Sequence, residues 1–398
     1  MFESRLPTMK SLDGVRRAAG VALLATTGAA IAADPSVQPA AQPAAQRGDG
    51  DVPVVYPVPM RGQMGTDIHP SAYEAIVEDA KKADPDLIVF MLESADINNV
   101  FYLQDDDRAE SGLALLGEYR DLVSSLRDDL AEFPQVIWVE DSVGFGSLMA
   151  LSWPTMYMKP NARLWGLQNV SRMAGGWSDP DVAAKMMAAW TGIGKGFLQK
   201  GGYPLELGEA MMRPEHRLSA SFEGRDVSWK LDTNGHWVVD SSDKEVTNLR
   251  AELAEDLGVC AGLAENLDDV AFLSGWREYE VNENGQKIIE DYVEDWRRAY
   301  DRTRDWMRDA QQAQSRASGE DAVRYLGKAK NDYERVIAAM RQYPAVENRW
   351  KREGVNRLQL EIYVEQLKEQ ILGIRRGGRG GGGGGGLGGR GGGLSPGG

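Results

Sequence analysis

Two kinds of hydrophobic pattern alternate along the first two thirds of the chain. Continuous apolar runs such as "DLIVFML" and "QVIWV" are typical of strands that are buried on both faces. Between them, "SAYEAIVEDAKKA" and "GLALLGEYRDLVSSLRDDL" space their apolar residues by three and four, which predicts amphipathic helices. Strands that alternate with helices favour a parallel sheet with right-handed crossovers, so residues 52–284 are predicted to form an α/β domain.

The run that opens this domain contains several prolines. "VPVVYPVPM" has the β-branched and aromatic residues of a strand. Proline has no N–H to donate to a neighbouring strand, so this run is predicted to lie at the edge of the sheet or to start it. Further along, "TMYMK" and "ARLWG" predict two more short strands after a helical turn at "GSLMALSW".

From about Gly285 the pattern becomes that of long helices. Apolar residues step by three and four through three segments, and charged residues fill the other faces. The three stripes are Ile289, Tyr292, Trp296, Ala299, Thr303 and Trp306; Leu326, Ala329, Tyr333, Val336 and Met340; and Leu360, Val364, Leu367 and Ile371. Gly319 and Pro344 lie near the breaks. Residues 285–374 are therefore predicted to form an α-helical hairpin or a coiled coil, as a bundle or as an oligomerisation arm.

Both ends of the chain differ from these folded patterns. Arg16 and Arg17 precede "AAGVALLATTGAAIA", so residues 1–32 are predicted to be a signal peptide cleaved after Ala32, with an uncleaved anchor as the alternative. Export to the periplasm or cell envelope is expected, ahead of secretion. The composition of residues 33–51 predicts a disordered Pro/Ala/Gln linker, and that of residues 375–398 predicts a disordered Gly/Arg tail. No later stretch is apolar enough to cross a bilayer, so no transmembrane span is expected in the mature chain.

Composition excludes several classes of function. The 398 residues include 60 Asp and Glu against 45 Lys and Arg, a net charge of −15 that argues against nucleic acid as a partner. Cys260 is the single cysteine, and its apolar context "GVCAGL" predicts a core residue. The three histidines are scattered without ligand spacing, so neither a metal nor another cofactor is expected.

Four landmarks give residues 52 to about 276 a resemblance to a known superfamily. They are "VVYPVPMRGQMG", "DPDLIVFMLES", "GFGSLMALSWPTMYMKPNARLWG" and "VTNLRAELAEDLGVCAGLAENLDDVAFLSG". The chain resembles the ClpP/crotonase-like superfamily, in its NfeD and signal peptide peptidase A (SppA) branch of Ser-Lys peptidases. The resemblance implies a repeated β-β-α superhelix and a serine-peptidase fold that assembles into homo-oligomers.

The resemblance also implies where the catalytic groups belong. The family places a serine at the start of one helix, a lysine on a later helix and a Gly-Gly pair after the second strand as the oxyanion hole. Matching "GFGSLMALSWPTMYM" to that pattern puts Gly146 on the motif's glycine and Gly144 on the serine, which is therefore absent. Ala95 and Asp96 stand where the oxyanion backbone is expected. An acidic side chain there would oppose developing negative charge.

Lys185 matches the base of the family, at about the serine-to-lysine spacing that its members use. A surface lysine at a helix start is the alternative interpretation. Ser142 and Ser147 flank the elbow, and either could replace the missing serine or serve only in capping and packing. A displaced hydroxyl faces a geometric penalty, because catalysis fails when a group is misplaced by about 1 Å.

Three functional hypotheses follow from these residues. The first is an exported protein that keeps the fold, has lost or weakened peptidase activity, and holds a peptide or protein by strand addition. The second is an active Ser-Lys endopeptidase that uses Ser142 or Ser147 with Lys185. The third is an envelope assembly protein that works through its helical region. Trp165, Trp177 and Trp190 are candidates to line a cleft or to pack in the core.

Overall fold

A computed structural model of the chain describes residues 52–94, 109–165, 167, 170–171, 176–224 and 226–377, without the side chains of 109–115 and 377. The predictions for the signal peptide, for the linker and for residues 378–398 of the tail lie outside these residues. The described residues belong to one compact unit of the chain. None of the helices described is both long and apolar enough to span a membrane.

The architecture is mixed α/β. Its described strands are β1 (Val54–Arg61), β2 (Leu87–Glu93), β3 (Gln135–Val143), β4 (Met156–Met158), β5 (Arg163–Trp165), β6 (Leu218–Glu223), β7 (Asp226–Lys230), β8 (Trp237–Asp240), β9 (Leu249–Arg250), β10 (Gly262–Leu263) and β11 (Glu280–Val281). The described helices are α1 (Pro70–Ala83), α2 (Ala109–Asp129), α3 (Gly146–Ala150), α4 (Pro180–Gly201), α5 (Leu205–Met212), α6 (Ala251–Asp256), α7 (Leu267–Leu273), α8 (Asn284–Ser315), α9 (Ala322–Gln342), α10 (Pro344–Arg352) and α11 (Arg357–Gly377).

The main sheet is parallel, as the alternating pattern predicts. Its strand order is β10-β4-β3-β2-β1-β11, and each of these neighbouring pairs runs parallel. The short strand β5 continues the sheet beside the end of β3 and pairs antiparallel with β9. The carboxyl ends of β1, β2 and β3 therefore meet at one edge, which is where open α/β sheets place their ligands.

The prolines of β1 lie where the sheet does not need their N–H groups. β1 pairs with β2 from Val55 to Arg61, whereas β11 covers only Val54 and Val55 on the other side. The carbonyl of Pro59 points away from β2 and accepts a bond from the Tyr73 hydroxyl at 3.1 Å. Pro57 has the same parity, so both rings face the side of β1 that lacks a neighbouring strand, and no ladder bond is lost.

Both faces of the sheet are buried, because alternate side chains enter separate clusters. Tyr56, Val58, Phe90 and Ile137 lie in a large core with α1, α2 and α4. The residues between them enter a smaller core beneath α7: Val55, Leu87, Val89, Val136, Trp138 and Tyr157. Burial on both faces explains the continuous apolar runs of β2 and β3.

The helical region continues this core before it forms its own. Ile289, on α8, is buried in the large core of the α/β part. Farther along, α8 packs on α9 and α9 on α11, and a second core fills the space between them. The breaks fall at the short 3-10 turn Gly319–Asp321 and at Pro344, which opens α10.

The sequence patterns miss a small antiparallel sheet. β6 lies between β7 and β8, each paired antiparallel with it. Only β6 is largely buried, whereas β7 and β8 carry mostly exposed or half-buried residues. Such strands lack an apolar run, so their hydrophobic pattern does not distinguish them from loops.

The helical region also holds the loop that follows β1, here called the β1–α1 loop (residues 62–69). Side chains of α8 and α10 donate to three of its carbonyls and to one carboxylate. The pairs are Asn348 to the carbonyl of Gly65 at 2.9 Å, Arg352 to that of Met64 at 2.8 Å, Tyr292 to that of Thr66 at 3.4 Å, and Arg297 to Asp67 Oδ1 at 2.9 Å. The loop and the helices are thus one hydrogen-bonded assembly.

Replacement of Gly285 by alanine is expected to destabilise the fold. A Cβ there would lie 2.6 Å from Tyr56 Cε1 and 2.7 Å from the carbonyl oxygen of Pro57. The first turn of α8 must then move away from β1, at a cost of about 1–3 kcal/mol. Urea unfolding measures the change.

Gly327→Ala is the matched control, since Gly327 is also helical but nothing lies within 4 Å of its added Cβ. That variant should gain about 0.5–1 kcal/mol from helix propensity. Equal stabilities for the two variants would contradict the close contact between α8 and β1.

Candidate functional site

The elbow between β3 and α3 is built around a glycine in a left-handed conformation. Gly144 has φ +90°, a region that residues with a Cβ rarely adopt. Its N–H donates to the carbonyl of Trp165 at 2.7 Å, which fixes the turn to the end of β5. A Cβ added at Gly144 would meet no atom of the described residues within 4 Å. The position that the resemblance assigns to the nucleophile therefore has open space and no hydroxyl.

Three serine hydroxyls lie directly beneath this elbow. Ser142 Oγ and Ser94 Oγ are 2.9 Å apart, and Ser147 Oγ lies 3.3 Å from Ser142 Oγ and 3.1 Å from the carbonyl of Trp165. Ser94 is 1% exposed, and Ser142 and Ser147 are 0% exposed. The two serines that flank the elbow thus point into the protein, where they bond to each other and Ser142 also bonds to Ser94.

Gly146 is required by this packing. A Cβ on it would approach Ser94 Oγ to 2.3 Å and Ser142 Oγ to 2.8 Å. The glycine lets the hydroxyl cluster sit against the first turn of α3. Its role here is close packing, because its backbone carries no special conformation.

Lys185 lies on α4 and is exposed. Within the described residues, no hydrogen bond or ion pair joins it to Ser94, Ser142 or Ser147. The other lysines of α4 that could be considered are engaged elsewhere: Lys195 pairs with Glu209, and Lys200 with Asp128 at 2.9 Å. The structure therefore brings the elbow glycines and serines together, and none of the described lysines bonds to these serines. Ala95 and Asp96 lie outside the described residues.

An ion pair fixes β5 beside the elbow. Asp141 accepts from the backbone N–H and from Nε of Arg163, both at 3.0 Å. The guanidinium groups of Arg163 and Arg250 lie 5.4 and 5.3 Å from the ring centre of Trp165. Trp165 is thereby held at the elbow by two cation–π contacts.

The predicted tryptophans and the cysteine differ in how far they are buried. Trp190 is fully buried in the large core and Trp177 is exposed, so Trp165 is the member of the predicted trio that contacts the elbow. Burial raises the pKa of the Cys260 thiol to about 12, which makes it a poor nucleophile. No group of three or more His, Cys, Asp or Glu in the described residues could hold a metal ion.

Ser94 is a site residue that the sequence analysis does not identify. It directly follows the last residue of β2, which places it at the carboxyl edge of the sheet. A position directly after a predicted buried strand is the sequence signal from which Ser94 could have been identified. Its partner Ser142 is 48 residues away along the chain, a distance over which local patterns carry no information.

Comparisons with known proteins assign the chain to no family. No protein-family model and no curated protein matches the chain. Two similar solved structures are variants of the 1510-N membrane-bound stomatin-specific protease, each 14% identical over 59% of this chain. One, a lysine-to-alanine variant with a substrate peptide, has a TM-score of 0.34 over 85% of its own length. The other, a serine-to-alanine variant, has a TM-score of 0.35 over 91%.

Alanine at Gly146 and at Gly144 should destabilise the protein for different reasons. At Gly146 the added methyl collides with two hydroxyls, an overpacking cost of about 1–3 kcal/mol. At Gly144 the methyl has room but the left-handed backbone costs about 1–2 kcal/mol.

A double-mutant cycle with Ser94→Ala separates the two causes. Removing the Ser94 hydroxyl should relieve part of the Gly146→Ala loss and leave the Gly144→Ala loss unchanged, as read from urea unfolding. Additive effects in both pairs would show that the hydroxyl cluster does not pack against Gly146 in this way.

Proposed function

We propose that the chain binds an extended peptide or protein segment at the elbow and does not cleave it. The observation that carries this proposal is the pairing of open space at Gly144 with buried hydroxyls at Ser142 and Ser147. The sequence resemblance to the NfeD and SppA branch of Ser-Lys peptidases places the nucleophile at Gly144. A protein of this kind keeps the peptide-binding shape of a peptidase and lacks the group that attacks the peptide.

The chemistry of a serine nucleophile explains why the flanking serines are poor replacements. A hydroxyl attacks a carbonyl only when its oxygen reaches the substrate and a neighbouring base accepts its proton. Ser142 and Ser147 are fully buried, and the Ser147 hydroxyl lies within hydrogen-bonding distance of the Trp165 carbonyl. The lysine base of a Ser-Lys pair must be desolvated, whereas Lys185 is exposed.

Binding does not depend on those groups. Strand addition uses the backbone N–H and C=O groups of the ligand, and pockets for alternate side chains supply specificity. The elbow lies beside β5 at the carboxyl edge of the sheet, and the cation–π contacts around Trp165 make it a fixed wall. We expect the bound segment to run past Gly144 along this wall.

The proposal includes the setting in which the protein works. The predicted signal peptide supports export to the periplasm or cell envelope, with a homo-oligomer formed there. The two other hypotheses stay open to experiment. An active peptidase would need Ser142 or Ser147 to turn outward, and an assembly protein would need α8 to α11 to carry the self-association.

A fluorophosphonate probe should fail to label the purified chain. The expected reason is that no exposed, activated hydroxyl stands at the elbow. Gel fluorescence after incubation, beside casein turnover, measures the outcome. Labelling that disappears in Ser142→Ala or Ser147→Ala, with turnover that disappears in Lys185→Ala, would instead establish the Ser-Lys peptidase.

Gly144→Phe should weaken binding of fluorescein-labelled casein by at least about tenfold, because the ring would fill the space through which the ligand passes. Fluorescence anisotropy measures the affinity. Gly224→Phe is the matched control: Gly224 also has a positive φ, and an added Cβ there also meets nothing within 4 Å, but it lies in the turn between β6 and β7. Equal affinities for the two variants, or no binding by the unmodified chain, would refute the proposal.

A further inference from the structure

A cavity of about 580 Å³ lies between the sheet and the helical region. Gly62 and Glu93, at the carboxyl ends of β1 and β2, form one wall, and Trp296, Tyr300 and Asp301 of α8 form another. Pockets for small ligands and side chains occupy about 300–1,000 Å³. The cavity therefore has the size and the sheet-edge position of a binding site.

The arginines around the cavity are already paired. Arg297 donates to Asp67 at 2.9 Å, and Nε of Arg349 lies 3.4 Å from Glu353. Arg61 bonds to Glu140 and reaches Glu93 only at 3.6 Å. The positive charge of the lining is thus largely satisfied by carboxylates of the protein itself.

Two carboxylates of the lining have no basic partner of their own among the described residues. Asp301 is exposed and forms no ion pair with any described residue, and Glu93 shares Arg61 with Glu140. The whole chain is also acidic, with a net charge of −15. The electrostatics of the cavity therefore favour a cation.

Aromatic groups complete the lining. The faces of Trp296 and Tyr300 already accept cations, since Arg297 and Arg349 each lie 5.8 Å from one of the two ring centres. Trp296 is buried, and its indole N–H has no acceptor among the described residues. That nitrogen is itself buried, so Trp296 contributes apolar surface to the lining and not its N–H group.

We propose that the cavity binds an arginine side chain of a peptide, with Asp301 and Glu93 facing the guanidinium group. A planar guanidinium presents donors to two carboxylates at once in a fixed fork geometry, which an ammonium group does not. This inference rests on the proposed function only in taking a peptide as the ligand.

The cavity adjoins the elbow through two consecutive residues. Glu93 lines the cavity, and the hydroxyl of the next residue, Ser94, bonds to Ser142 beneath Gly144. The cavity and the hydroxyl cluster thus share the end of β2. The arginine can come from another protein or from the chain's own C-terminal segment, which contains Arg379 and Arg390.

The test compares three labelled peptides on the full chain by fluorescence anisotropy. Gly-Gly-Arg-Gly-Gly should bind at least about tenfold more tightly than its glutamine counterpart, with the lysine peptide between them. Asp301→Asn should weaken binding of the arginine peptide about three- to tenfold. The matched control is Asp305→Asn, one turn farther along α8. It removes the same charge, but Asp305 is paired with Arg308. Its effect on binding should stay within twofold.

A variant with glutamine at Arg379 and Arg390 identifies the source of the arginine. Tighter binding of the free peptide to this variant would show that the chain's own segment competes for the cavity, and equal binding would assign the cavity to an external peptide. Equal affinities for the arginine and glutamine peptides on both chains, or no effect of Asp301→Asn, would overturn the inference.

The two proposals can fail separately. Casein binding that Gly144→Phe blocks, without selectivity for arginine, would refute the cavity assignment alone. Arginine-selective binding that Asp301→Asn weakens, without any effect of Gly144→Phe on casein, would refute the elbow alone.

Discussion

The rest of the structure depends on the hydrogen bonds that α8 and α10 donate to the β1–α1 loop. Carbonyls of Met64, Gly65 and Thr66 accept hydrogen bonds from α8 and α10, and no other side chain of the described residues donates to them. Unpaired backbone groups are costly wherever water is excluded. The close approach at Gly285 brings the first turn of α8 over the free edge of β1. The helices therefore complete the α/β part, and the cavity exists because both contribute a wall.

The elbow between β3 and α3 is lined on its inner side by buried hydroxyls. A nucleophilic serine must stand exposed on a strained turn, with its hydroxyl free to transfer a proton. Here the residue with the left-handed backbone is Gly144. The hydroxyl of Ser142 lies within hydrogen-bonding distance of Ser94, and that of Ser147 lies within hydrogen-bonding distance of Ser142 and of the Trp165 carbonyl. These contacts tie the ends of β2, β3 and β5 together. The turn is thus held in shape by the groups that would otherwise be candidates for chemistry.

The parts of the fold that sequence predicts are those in which a residue's neighbours along the chain determine its environment. Buried strands such as β2 and long amphipathic helices such as α8 show their period directly in the sequence. The half-exposed strands β7 and β8 have no such period and are missed. The site is harder, because spacing places Lys185 on a helix without showing whether that position faces the elbow or the solvent. The cavity combines Gly62 with Asp301 and is not recognisable from any local pattern.

The end of β2 connects the two proposed binding features. Successive side chains of an extended segment point to opposite sides, so Glu93 faces the cavity while Ser94 faces the hydroxyl cluster. Ser94 bonds to Ser142 and lies against Gly146, so the backbone that carries Glu93 into the cavity also carries a hydroxyl into the elbow. The end of β2 is therefore the stretch of backbone that the two proposed sites share, and its side chains divide between them.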